Sequence, residues 1–135
     1  MEIITRLAYN QLITTEETPI VCLLIDTKGN KYVTKNSGNQ HAEVLMCNQY
    51  DCENAIIFIN VEPCPMCLFA LSLAKVKYIF FGCENQQYGA CGGKFHLQNH
   101  IDYKVPMYFG GFFTKINELM IKQFFANKRR QIMIY

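Results

Sequence analysis

Two runs in this chain, AIIFIN (55–60) and KYIFFG (77–82), are apolar at nearly every position. A strand with one wet face alternates apolar and polar residues; a strand without alternation must be covered on both faces. Between the two runs, Pro65–Lys75 is almost wholly apolar and compatible with a helix, so the stretch reads as strand–helix–strand. VPMYFG (105–110) reads as a further strand and residues 113–128 as an amphipathic final helix. Upstream, Ile3, Ile4, Leu7, Ala8 and Leu12 recur near helical spacing within residues 2–13. PIVCLLID (19–26) ends in an Asp-Thr-Lys-Gly-Asn turn signal followed by KYVT, which predicts a hairpin. His41–Tyr50 suits a helix, and residues 83–103, with Gly89, Gly92 and Gly93, read as irregular with at most one helical turn. This order predicts an α/β layered domain whose sheet is mostly parallel in its second half.

Nothing divides the chain: there is no internal repeat, low-complexity tract or linker, and 135 residues suffice for one domain with a real core. No uncharged run is long enough to span a bilayer. The start, MEIITRLAYNQL, carries Glu2 and no long apolar stretch, so it does not read as a secretion signal. Seven cysteines, an odd number at irregular spacing, argue for a reducing compartment over a disulfide framework. A soluble intracellular protein is expected, with no membrane partner. The net charge of +2 hides an asymmetry, because Lys115, Lys122, Lys128, Arg129 and Arg130 stand against Glu118 alone in residues 113–135. A basic tail on a nearly neutral body is either a solvated helix end or a grip on a phosphate backbone.

His41 and Glu43 follow a loop and open one helix; Cys64 and Cys67 follow the strand 55–60 and open the next, with Pro63 and Pro65 around the first thiol. The bland reading is a satisfied core histidine, two buried thiols and a solvated carboxylate. The alternative is chemical. Unpaired amides and the dipole at a helix start favour thiolates there, and one histidine with two thiolates makes three ligands, which suits a catalytic zinc with one position left for water. Glu43, two residues from His41, can then reach that water without binding the metal and carry protons. A lone H-x-E is close to noise and a lone C-x-x-C has several meanings. Their joint occurrence, H-A-E and then P-C-x-x-C after an apolar strand, is the signature of zinc deaminases and decides for one zinc per chain.

With these motifs the chain resembles the cytidine-deaminase-like superfamily and, more narrowly, the tRNA adenosine deaminases that make inosine at the wobble position. FGCENQQYGACGG (81–93), with Cys83, Tyr88, Gly89, Cys91 and Gly92, is similar to the segment after the family's fourth strand, on the side of the eukaryotic catalytic subunit. GGFFTKINELMIKQFFANKRRQ (110–131) resembles the family's terminal helix. The resemblance implies a three-layer α/β/α fold around a five-stranded mixed sheet, formed by residues 1–135 as one zinc-dependent deaminase domain. It implies His41, Cys64 and Cys67 as zinc ligands and Glu43 as the catalytic proton shuttle. Asn36, or alternatively Asn39, would contact the substrate, together with Ala42 and Pro63. The implied activity is hydrolytic deamination of adenosine in a tRNA anticodon stem-loop, a zinc-activated water attacking C6. Lys128, Arg129 and Arg130 would hold the tRNA backbone. The implied partner is a catalytically inactive deaminase-like subunit in a heterodimer, with a homodimer as alternative, working in the nucleus or cytoplasm. A small-molecule deaminase of cytidine, deoxycytidylate or guanine is the rival reading.

Cys83, Cys91, His96 and His100 offer four further metal-type residues, but their spacing misses the usual finger pattern, and the histidines read as loop residues. Cys22 and Cys47 read as small buried side chains. The helix at 65–75, apolar on nearly every face, reads as core and also as a surface for a partner subunit.

Overall fold

The computed structural model of the chain describes residues 1–99, 102 and 104–133. Its elements are α1 (Glu2–Thr14), β1 (Val21–Ile25), β2 (Lys31–Lys35), α2 (Ala42–Gln49), β3 (Ile56–Val61), α3 (Pro65–Leu73), β4 (Tyr78–Cys83), a 3₁₀ turn (Leu97–Asn99), β5 (Met107–Phe109) and α4 (Thr114–Met133). The strands form one sheet in the order β2-β1-β3-β4-β5. β1 runs antiparallel to both β2 and β3, whereas β3, β4 and β5 are mutually parallel. The sheet is therefore mixed, and parallel in its second half as expected.

Helices α2 and α3 cover one face; α1 and α4 cover the other. Alternation along β1 divides the core between them. Cys22 and Leu24 join Met46, Ile57, Ile59, Leu68 and Leu71 on the α2/α3 side. Val21 and Leu23 join Ile4, Ala8 and Met120 on the α1/α4 side. β3 and β4 can be apolar throughout because both faces are covered, and Phe58, Phe80 and Phe109 stack in register across the three parallel strands. α3 buries Cys67, Leu68, Leu71 and Ser72 and leaves Met66, Phe69 and Leu73 exposed on its outer side.

Most boundaries differ from the sequence reading by one to three residues, and two of the differences have a clear physical cause. The first strand starts at Val21, two residues after Pro19, because Asn60 ends the pairing there: its buried side chain accepts from the Val21 N–H at 2.8 Å and donates to the Pro19 carbonyl at 2.8 Å. α4 runs on to Met133, since residues 129–133 contain no breaker and good helix formers. The four terminal residues 132–135 are only half described, as Ile134 and Tyr135 lie outside the described residues. Among the described residues no helix is long and apolar enough to cross a membrane.

All seven cysteines are free. Cys52, in a segment that reads as a polar loop, is buried, its thiol 3.5 Å from the Tyr50 carbonyl. Replacing Asn60 by leucine keeps the branched shape but strands a buried N–H and a buried carbonyl. A loss of roughly 2–5 kcal/mol is expected in urea denaturation; a loss below about 1 kcal/mol would mean that other groups satisfy both.

Candidate active site

The site is assembled by two helix starts. His41 is the N-cap residue of α2 and Cys64 the N-cap residue of α3, both with extended backbone, and neither makes a side-chain capping bond. Pro65 follows at the first helical position, where a missing N–H is harmless. Freed from capping, both side chains turn to a common point, joined by Cys67 from the first turn of α3. His41 Nδ1 stands 3.7 Å from Cys64 Sγ and 3.4 Å from Cys67 Sγ. Donors 2.0–2.3 Å from a tetrahedral zinc lie about 3.5 Å apart, so these residues fit the ion. They are the one such group among the described residues, their donor atoms all within 4.8 Å of one another.

The donor chemistry agrees. Interaction with Cys67 brings Cys64 down to about 5 and pushes Cys67 up, which favours a thiolate at Cys64. Glu43 lies in the first turn of α2, 4% exposed, and burial pushes its carboxyl up to about 7. It stands beside the three donors without being one of them.

The other expected residues separate. Asn36 follows β2 and is half-buried; its Oδ1 accepts from the Ala42 N–H at 2.8 Å, pinning the start of α2. Its carbonyl accepts from Gln11 Nε2 at 3.1 Å. Asn39 sits in the exposed turn closed by Ser37 and Gln40, which favours Asn36 of the two. Ala42 is buried and accepts from the Thr34 hydroxyl at 2.6 Å. Pro63 is buried and its carbonyl accepts from the Ala90 N–H at 2.9 Å.

A cleft of about 810 Å³ opens where β3 and β4 end, between the 84–91 segment and α4. Val61 and Cys83 form its floor, and Tyr88, Lys122, Phe125 and Arg129 line its walls. The three basic tail residues thus part company. Arg129 faces the cleft and Arg130 is exposed, whereas Lys128 lies 3.6 Å from Glu16 and over the Phe124 ring. Phe124 is buried and Phe125 exposed, so only the first anchors the helix. Of the second metal-type set, Cys83 is buried, Cys91 and His96 meet in an isolated bridge, and His100 lies outside the described residues.

The sequence reading missed Glu62. It is 2% exposed and accepts three backbone N–H groups, from Cys91 at 2.8 Å, Gly93 at 2.9 Å and Asn85 at 2.9 Å. The available signal was an acidic residue just after a mainly apolar strand and directly before Pro63 and Cys64.

Cys64→Ala should lose the metal and also destabilise the chain, because the ion ties two helix starts together. Elemental analysis should find less than a tenth of the wild-type zinc; a full equivalent would refute the ligand set.

Residues 1–83 match the cytidine and deoxycytidylate deaminase zinc-binding region as a family. A tRNA-specific adenosine deaminase 2 from Danio rerio is 32% identical over 96 residues, covering 56% of this chain and 44% of that protein. The tRNA-specific adenosine deaminase subunit tad2 of Schizosaccharomyces pombe is 29% identical over 127 residues, covering 83% of this chain and 33% of the relative. The chain thus spans between a third and half of these relatives' length. A solved structure from a study of A-to-I editing by tRNA:A34 deaminases at the wobble position of transfer RNA shares the fold. Its TM-score is 0.73 at 22% identity, over 89% of this chain and 96% of the other. With the family match over more than half its length and the zinc-fitting donors in place, the chain belongs to the cytidine and deoxycytidylate deaminase zinc-binding family.

Proposed function

We propose that residues 1–135 act as a single zinc-dependent domain that hydrolyses adenosine to inosine at the wobble position of tRNA. The observation that carries this reading is Glu43, a buried carboxyl beside the three donors and outside their set. A buried acid near neutral pKa is a proton carrier placed where a reacting base would sit. His41, Cys64 and Cys67 would hold a zinc ion, which when bound would supply the lowered pKa that readies a water for attack. Glu43 takes the proton that the water gives up as it attacks C6 and delivers it to N1 of the ring. Glu43 then moves the remaining hydroxyl proton to the 6-amino group, which leaves as ammonia. Asn36 spends its Oδ1 on Ala42, which keeps its Nδ2 as a donor for the substrate. Ala42 and Pro63 supply the apolar walls.

The substrate class is taken from the zebrafish and fission-yeast relatives, both named as tRNA-specific adenosine deaminases. The cleft supports it. Tyr88 and Phe125 offer stacking faces and Lys122 and Arg129 offer charge, which suits single-stranded nucleotides flanking a base turned out of its stack. An anticodon loop presents such a base. The exposed Met66, Phe69 and Leu73 of α3 support docking of a second subunit, a catalytically inactive relative in a heterodimer, with a second copy as the alternative. The nucleus and cytoplasm, where tRNA resides, are the compartments this reading requires. The family's description favours one rival, a deaminase of free cytidine or deoxycytidylate.

Glu43→Ala should retain fold and zinc but lose turnover by at least about 10²–10⁴-fold. Near-normal deamination, followed by ammonia release, would rule out its role. Neutralising Lys128, Arg129 and Arg130 together should flatten the salt dependence of tRNA binding by about one unit of slope per lost phosphate contact. Arg129 should account for most of the change, since Lys128 is engaged by Glu16. Binding of tRNA that is absent at low salt, alongside rapid turnover of free deoxycytidylate, would favour the rival.

A further inference from the structure

We propose that Glu62 is a positioning residue that holds the 84–93 segment as the wall of the substrate cleft; this rests on the deaminase reading above. Its carboxylate is buried with no cation beside it among the described ion pairs, and three amide N–H groups surround it. Oε1 accepts from Cys91 and Gly93, and Oε2 accepts from Asn85. Amides converging on a carboxylate form an anion-holding concavity, and each bond is charge-assisted. Here the anion belongs to the chain itself.

The segment is shaped around that carboxylate. A Cβ added at Gly89 or at Gly93 would lie 2.3 Å from Glu62 Oε2, so both positions must lack one. On its outer side the same segment presents Asn85, Gln86, Gln87, Tyr88 and Cys91 to the cleft. Its own internal bonds are short-range: Gly89 N–H to the Asn85 carbonyl, Gln87 and Tyr88 N–H to Asn85 Oδ1, Lys94 and Phe95 N–H to the Gly89 carbonyl, and Gly92 N–H to the Phe95 carbonyl. Glu62 supplies three more, from the end of β3, two residues before Cys64. The side chain is thus directed toward the cleft wall, while the backbone after it turns into the metal-donor helix. Among the described residues, Glu62 hydrogen-bonds to none of His41, Cys64 and Cys67. Its effect should fall on substrate binding and leave the proton chemistry at Glu43 in place.

The test has one arm on the wild-type chain and one on a variant. In amide hydrogen–deuterium exchange, the zinc-loaded wild type should protect Asn85, Cys91 and Gly93 well above the neighbouring Gln86; free exchange at all three would overturn the proposal whether or not the variant folds. In the active enzyme, Glu62→Gln should raise KM for an anticodon stem-loop RNA by roughly tenfold or more, with kcat within about threefold and zinc unchanged. Its loss should also speed exchange at the three amides. An unchanged KM, or a joint loss of zinc and kcat at constant KM, would overturn the proposal. Wild-type enzyme that fails to bind the RNA would refute the tRNA reading instead, and the exchange arm would still decide whether Glu62 fixes the segment.

Discussion

Two helices that begin at one point are the constraint on which the site depends. A helix start normally satisfies its first amides with its own N-cap side chain. Here His41 and Cys64 hold the N-cap positions and decline that role, turning toward each other instead. The amides are served from elsewhere: Asn36 reaches across from the end of β2 to the Ala42 N–H. That exchange is possible because β1 lies between β2 and β3, which brings the loops entering α2 and α3 to the same edge of the sheet. Zinc-type geometry follows from strand order and from a borrowed cap.

The same edge carries a second, separate task. The cleft opens where the parallel strands end, the usual place for a ligand in such sheets, and its walls come from α4 and the 84–91 segment. The donor residues and Glu43 sit at the starts of α2 and α3 on one face; the cleft sits beside α4 on the other. Glu62 and Asn60, on either side of Val61 at the end of β3, serve the seam between them. Asn60 fastens the entry to β1, and Glu62 fastens the loop after β4. Both are buried polar groups whose partners are backbone, so each rigidifies the chain at the point where flexibility would blur the site.

What could be read from the sequence was local. Uniformly apolar runs at 55–60 and 77–82 gave two doubly covered strands, and the H-A-E and P-C-x-x-C spacing gave the donors with Glu43 beside them. The parallel second half followed from strand–helix–strand spacing. What could not be read was set by distant partners. Glu62 is bound by amides 23 to 31 residues away, a pairing that leaves no periodic trace. Lys128 reads as one of three equal basic residues until Glu16 and Phe124 claim it. Cys52 sits in a polar stretch and is buried because the turn between α2 and β3 folds under the helix.

The measurement that bears most directly on the central claim is mass spectrometry of nucleosides from tRNA incubated with this zinc-loaded chain, alone and with candidate second subunits. The account predicts inosine at the first anticodon position, scarce with the chain alone and abundant once a non-identical subunit is added. Unchanged adenosine there under every combination, while free cytidine or deoxycytidylate is deaminated, would contradict it.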